Sequence, residues 1–133
     1  MNQKAVVKIQ QEFSGESEIG RGVRQGCCIS PLLFNIYAEA MMEEAMKNVE
    51  EGIKVGVKLL KDVRFADDQA MIAGSESGLQ RIMDSLNTTA IKYGMKINIK
   101  KTKVMRVRVS KEGGEVNITI NGAKLEQVKS LNI

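Results

Sequence analysis

Two adjacent carboxylates, Asp67 and Asp68, stand between two short apolar runs in the stretch VRFADDQAMIAG. The runs VRFA and QAMIA have the length and composition of short β-strands. A turn held by two neighbouring strands is a fixed point from which side chains can project. The sequence therefore predicts a tight β-hairpin that presents both aspartates at its tip.

The chain also contains two predicted helices. Ser30 is expected as the N-cap of the first helix, with Pro31 at its first helical position. Ser77 and Gln80 have capping-box spacing at the start of the second, which is expected to end at Gly94. The apolar positions expected on the first helix are Leu32, Leu33, Phe34, Ile36, Tyr37 and Ala40. Those expected on the second are Leu79, Ile82, Met83, Leu86 and Ala90.

The remaining apolar stretches favour strands. AVVKIQ and EIGRGV are expected to form a hairpin around QEFSGES, and IKVGVKLL, MKINI and TKVMRVRV are expected as further strands. EVNITI and AKLEQV meet across Asn121-Gly122, a strong two-residue turn signal. The order predicts an α+β fold in one domain of residues 1–133. Its mainly antiparallel sheet would carry two helices on one face and be followed by β-hairpins.

Composition excludes several classes of protein. No apolar stretch approaches the roughly 20 residues that cross a bilayer, and the N-terminus lacks a signal-peptide core, so an intracellular protein (nuclear or cytoplasmic) without membrane contact is expected. Histidine is absent, which excludes histidine-based triads and most zinc sites. Cys27 and Cys28 are neighbours with no disulfide partner, so we expect small buried residues in a reducing compartment.

Positive charge is concentrated in one part of the chain. No acidic residue occurs from Ser85 to Lys111, although the whole chain carries a net charge of only +4. The basic residues of this stretch are Lys92, Lys96, Lys100, Lys101, Lys103, Arg106, Arg108 and Lys111. Such a stripe is typical of a protein that binds a polyanion, and it is equally typical of a solvated basic face.

Paired aspartates at a hairpin tip have two interpretations. Asp-Asp is ordinary turn chemistry, and a solvated turn would explain the dipeptide alone. Carboxylate oxygens are also hard ligands for Mg²⁺, and two confined carboxylates repel unless a cation neutralises them. A simple turn does not explain why the basic stripe and a loop marked by glycine and proline accompany the pair.

Four stretches resemble, in order, the conserved motifs of reverse transcriptases, especially those of non-LTR (LINE-type) retrotransposons. GVRQGCCISPLLFNIY resembles motif B, and RFADDQAMIA resembles the aromatic-Ala-Asp-Asp hairpin of motif C. YGMKINIKKTKVM is similar to motif D, and NGAKLEQVKSLNI resembles the approach to the primer-grip region. The resemblance covers nearly the whole chain and implies a polymerase palm.

The resemblance implies a role for each matching residue. Asp67 and Asp68 would be catalytic ligands of Mg²⁺ or Mn²⁺, and Lys101 would assist the pyrophosphate leaving group. Arg24, Gln25, Gly26, Phe65 and Ala66 would contact the incoming nucleotide or template. RNA template, DNA primer and dNTP are the implied partners of the complete enzyme, which transfers nucleotides to a primer 3′-hydroxyl by a two-metal mechanism. Phe65 replaces the more usual tyrosine, and Cys28 stands where the family often has proline.

A third aspartate, from motif A, is expected upstream of motif B, but the first aspartate of the chain is Asp62. We therefore expect a palm fragment of motifs B to D and the start of the primer-grip region. Motif A, most of the fingers and the thumb would be absent, and the isolated chain would be inactive. The alternatives are a noncatalytic nucleic-acid-binding module and a nonfunctional retroelement remnant.

Overall fold

The computed structural model describes residues 3–20, 22, 26–65, 68–107 and 114–129. The chain divides into two compact units, Met1–Ile36 and Tyr37–Ile133. In the described ranges, no helix is long and apolar enough to cross a membrane.

The first unit contains two antiparallel ladders. Strand β1 (Gln3–Ala5) pairs with β4 (Ser17–Ile19), and β2 (Lys8–Ile9) pairs with β3 (Glu12–Phe13) in a smaller hairpin between them. The predicted pairing of AVVKIQ with EIGRGV was wrong, because AVVKIQ pairs with residues of QEFSGES in the described part of the chain.

Helix α1 (Ser30–Met46) begins one residue earlier than predicted. The Leu33 N–H donates to the Ile29 carbonyl at 3.0 Å, so Ile29 rather than Ser30 accepts the first helical hydrogen bond. Pro31 lies in the first turn, where its missing N–H costs no hydrogen bond.

The predicted apolar face of α1 was wrong. Leu32, Leu33, Phe34, Ile36, Tyr37 and Ala40 are all exposed. The buried apolar residues begin at Ala38, six residues after Leu32, and recur three and four apart: Ala38, Met41, Met42, Ala45 and Met46. Apolar residues surround the first half of the helix, so spacing alone did not identify the buried stripe.

Helix α2 (Glu76–Lys92) begins at a different cap from the one predicted. Ser75, not Ser77, is the N-cap, and its hydroxyl accepts a hydrogen bond from the Gly78 N–H at 3.0 Å. The Gln80 side chain, expected in a capping box, instead bonds both backbone groups of Thr119, accepting from its N–H at 2.9 Å and donating to its carbonyl at 2.8 Å.

The predicted end of α2 at Gly94 is confirmed. The Met95 N–H donates to the Ala90 carbonyl at 2.8 Å, and the Gly94 N–H donates to the Ile91 carbonyl at 2.9 Å. This is the Schellman pattern, which requires a left-handed residue after the cap. Gly94 supplies it with φ +67°.

The core of the second unit lies between the buried stripes of its two helical segments and the following strands. Ile82, Met83, Leu86 and Ala90 are the buried apolar residues of α2, as predicted. They pack with Met41, Met42, Ala45, Met46 and Val49, and with Val104, Val116, Ile118, Ile120 and Leu125. Four methionines fill this core, since their flexible side chains adapt to irregular gaps.

Two antiparallel hairpins precede α2. The stretch IKVGVKLL, expected as one strand, turns at Gly56 (φ +62°) into β5 (Ile53–Val55) and β6 (Lys58–Leu60). The predicted hairpin around the aspartates is confirmed as β7 (Asp62–Phe65) and β8 (Asp68–Met71).

The strands after α2 are shorter than predicted. Strand β10 (Thr119–Ile120) pairs with β11 (Ala123–Lys124) across Asn121-Gly122, confirming that hairpin. Strand β9 (Lys103–Met105) pairs in parallel with β12 (Glu126–Val128). The predicted strand MKINI joins no ladder with the described residues.

The fold class is therefore α+β, as predicted, but without the single sheet that was expected. The described strands form six separate two-stranded ladders, of which five are antiparallel and one is parallel. Two-stranded ladders are marginal alone, so β8, β9 and β10 depend on core contacts through Met71, Val104 and Ile120, whereas all residues of β5 and β6 are exposed.

Gly122→Ala should destabilise the second unit by about 1–2 kcal/mol, because Gly122 has φ +77° and an L-residue is strained there. Gly74→Ala is the matched control, since its added Cβ would meet only the Gly52 carbonyl oxygen, at 3.8 Å. Chemical denaturation measured by circular dichroism compares the two. An equal loss in both variants would contradict the assignment of the turn.

Candidate active site

The register of the β7–β8 hairpin defines where its carboxylates emerge. Phe65 pairs with Asp68, and Asp62 pairs with Met71 at the other end of the ladder. Residues 66 and 67 connect the paired strands and lie outside the described residues. Asp68 is therefore the first residue of β8, immediately after a two-residue connection, and it is exposed.

The carboxylates of Asp68 and Asp62 have different surroundings. The Asp62 side chain is only 18% exposed and forms an ion pair with Arg64. The Asp68 side chain is exposed and forms no ion pair or hydrogen bond with the described residues. Of these two, Asp68 is thus the carboxylate available to an external cation.

Arg64 joins the hairpin to α1. Its guanidinium donates to the Asp62 carboxylate on the same strand and to the Glu39 carboxylate on α1. The hydrogen bond to Asp62, together with that to Glu39, raises the pKa of Arg64 despite partial burial. These charge-assisted hydrogen bonds fix β7 against the helix.

Sequence reasoning missed this cluster, although part of its signal was present. Asp62 and Arg64 are two residues apart on one strand, so their side chains share a face. Glu39 lies 25 residues earlier in the chain, and only the fold brings it to Arg64.

The base of the hairpin is anchored separately. The Lys61 ammonium donates to the carbonyls of Met46 and Val49 at the end of α1, and the Ile72 N–H donates to the Lys61 carbonyl at 2.7 Å. Met71 and Ala73 pack against the core. The strands are held at their base while the connection with Asp67 lies at the opposite end.

Lys101 lies in the turn that follows the extended segment after α2. Its N–H donates to the Asn98 carbonyl at 3.1 Å, and the Thr102 N–H donates to the same carbonyl at 2.9 Å. Asn98 thus fixes the turn. The Lys101 side chain is exposed and makes no hydrogen bond or ion pair with Asp68.

Only part of the predicted nucleotide-binding loop is described. Gly26 has φ +84°, and no described atom lies within 4 Å of a Cβ built there, so its backbone is open to a ligand. Arg24, Gln25 and Ala66 lie outside the described residues, and Phe65 is described only through its strand pairing. The prediction that Cys27 and Cys28 are buried was wrong, because both are exposed.

The described residues do not form a complete metal site. No group of three or more Asp, Glu, His or Cys side chains within them is arranged to hold an ion. Asp68 belongs to the described part and Asp67 does not, so the predicted pair is represented by one carboxylate.

The sequence matches the family "Reverse transcriptase (RNA-dependent DNA polymerase)" over residues 2–132. The chain belongs to the reverse transcriptase family, and the resemblance noted from its motifs is confirmed.

Two relatives indicate that this chain belongs to the non-LTR type of reverse transcriptase. The chain is 33% identical over 81 residues to the Retrovirus-related Pol polyprotein from type-2 retrotransposable element R2DM of Drosophila melanogaster, covering 61% of this chain and 8% of that protein. It is 32% identical over 77 residues to the Retrovirus-related Pol polyprotein from type-1 retrotransposable element R2 of Nasonia vitripennis, covering 58% of this chain and 7% of that protein. The matched stretches therefore span less than a tenth of the length of these relatives.

Arg64→Met should destabilise the chain by about 1–3 kcal/mol, because it leaves the half-buried Asp62 carboxylate without its partner while keeping the apolar stem. Lys124→Met is the control, since Lys124 also pairs with a carboxylate, that of Glu115, whose side chain is 76% exposed. The loss in free energy of unfolding should be clearly smaller in this control variant. Urea titrations of both variants measure the difference, and equal losses would contradict an anchoring role for Arg64.

Proposed function

We propose that Asp67 and Asp68 hold a divalent cation, Mg²⁺ or Mn²⁺, in the nucleotidyl-transfer centre of a non-LTR reverse transcriptase. The observation that carries the proposal is the register of β7 and β8, in which Asp68 follows a two-residue connection with its side chain exposed. Membership of the reverse transcriptase family supports it.

The donor chemistry fits such a cation. Carboxylate oxygens are hard ligands, and Mg²⁺ is usually bound by one or two of them together with substrate phosphates and water. When bound, the ion would neutralise charge that develops on the transferred phosphoryl group and its neighbouring oxygens. The contribution of the described residues is to hold Asp68 on a hairpin that Arg64 and Lys61 fix to α1 and the residues just after it.

The other predicted residues would act on the substrates. Gly26, with an open backbone at φ +84°, allows the incoming dNTP or the template to approach closely, and Arg24 and Gln25 would donate hydrogen bonds to phosphate or base edges. Phe65 and Ala66 would border the nucleotide at the hairpin. Lys101, exposed in its turn, would protonate the leaving pyrophosphate.

The described part of these 133 residues offers no third aspartate that is free for the site. Their remaining aspartates are Asp62 and Asp84. Asp62 is engaged by Arg64, and Asp84 accepts a hydrogen bond from Gln80 on α2 at 2.8 Å. We therefore propose that the chain by itself is not catalytic, because a two-metal site with a missing ligand loses the preorganisation on which phosphoryl transfer depends.

A noncatalytic nucleic-acid-binding module is the second candidate, and exposed lysines of the basic stripe favour it. Such a module would bind nucleic acid independently of Asp67 and Asp68. A retroelement remnant would show neither metal binding at the hairpin nor binding to nucleic acid.

Mn²⁺ binding, followed by water-proton relaxation, tests the proposed site without requiring activity. Asp67→Asn and Asp68→Asn should each weaken binding at the hairpin about tenfold, the consequence of losing roughly 1.4 kcal/mol of attraction between a carboxylate and a divalent ion.

Glu43→Gln is the control, because Glu43 is an exposed carboxylate of α1 without an ion pair among the described residues. Its affinity for Mn²⁺ should equal that of the unmodified chain. If all three variants lost the same affinity, binding would be diffuse and the hairpin would not be the site.

A further inference from the structure

Residues 95–99 run from the end of α2 as an extended segment with two different sides. Tyr93 and the alternate residues Met95, Ile97 and Ile99 are partly buried and pack against the core. Lys96, Asn98 and Lys100 are exposed. Because side chains alternate in an extended chain, the apolar contacts on one side direct both lysines outward on the other.

The lysines on either side of this segment already have partners. Lys92 pairs with Glu44 at 3.2 Å, and the Tyr93 hydroxyl donates to the same carboxylate at 2.9 Å. These contacts, that of Tyr93 first, lower the pKa of Glu44. Lys103 pairs with Glu126. The acidic groups nearby are therefore neutralised within the fold.

Lys96 and Lys100 differ from Lys92 and Lys103. Neither ammonium forms an ion pair or hydrogen bond with any described residue, and the stretch from Ser85 to Lys111 contains no acidic residue to compensate them. The backbone N–H groups of residues 96–99 likewise make no hydrogen bond within the described part of the chain. The charge of these two lysines is therefore not compensated within the described part of the chain.

We infer that Lys96 and Lys100 form a contact surface for the phosphate backbone of a nucleic acid, separate from the carboxylate hairpin. Four residues of extended chain place their Cα atoms at most about 13 Å apart, a distance that covers several phosphates of one strand. Phosphate contacts of this kind position a nucleic acid without reading its sequence. The inference rests on the proposed function only in taking nucleic acid as the substrate class.

The salt dependence of binding tests this surface. Fluorescence anisotropy measures the affinity of the full 133-residue chain for labelled single-stranded oligodeoxythymidylate and for a labelled DNA duplex, between about 50 and 200 mM sodium chloride. K96Q/K100Q should reduce the slope of log affinity against log salt by about 1.4 with the single strand and about 1.8 with the duplex.

K54Q/K58Q is the matched control, because Lys54 and Lys58 are exposed on the β5–β6 hairpin and the variant removes the same charge. Its slope should equal that of the unmodified chain. K96R/K100R should retain the full slope. That result would show that the reduced slope of K96Q/K100Q comes from the lost charge and not from a change in folding.

Each remaining outcome overturns the inference. Equal losses in K96Q/K100Q and K54Q/K58Q would mean diffuse attraction, and an unchanged slope in both, or no binding by the unmodified chain, would mean no such surface. Asp67→Asn separates the two proposals: it should weaken Mn²⁺ binding at the hairpin and leave the salt slope unchanged.

Discussion

The packing of the second half of α1 against α2 is the contact on which the second unit depends. Met42 and Ile82 have no exposed surface, and the stripes around them bury the apolar faces of both helices. No ladder of this unit exceeds two strands within the described ranges, so none has a sheet of its own to stabilise it. Burial on the helices therefore supplies most of the free energy that orders the strands.

The position of the carboxylate hairpin follows from this packing. Met71 contacts the core, while Lys61 and Arg64 bind acceptors on or just after α1. These contacts hold the strands in place, while the side chain of Asp68 remains exposed. A carboxylate presented on fixed strands costs little reorganisation when it meets a cation, which is the property a phosphoryl-transfer site requires.

Local signals in the sequence predicted the local structure. The Asn121-Gly122 turn, the β7–β8 hairpin and the end of α2 at Gly94 each follow from a few neighbouring residues, and each is confirmed. The family was also predictable, because four motifs occur in the right order. The roles of Asp67, Arg24 and Gln25 stay predictions, since these residues lie outside the described ranges.

The features that sequence reasoning missed depend on contacts between distant segments. The parallel pairing of β9 with β12 and the bond from Arg64 to Glu39 join residues more than 20 positions apart. The buried stripe of α1 was assigned to the wrong face because nearly all residues in the first half of the helix are apolar. Which side of such a helix is buried depends on the elements that pack against it, and the sequence of the helix alone does not identify those elements.

The most direct test of the account is RNA-templated primer extension by the 133-residue chain, with Mg²⁺ and all four dNTPs, compared with its Asp67→Asn variant. The account holds that Asp67 and Asp68 are two carboxylates of a site whose third ligand these residues do not supply, so it predicts no incorporation by either protein. Incorporation by the unmodified chain that Asp67→Asn abolished would contradict it, because the site would then be complete within these residues.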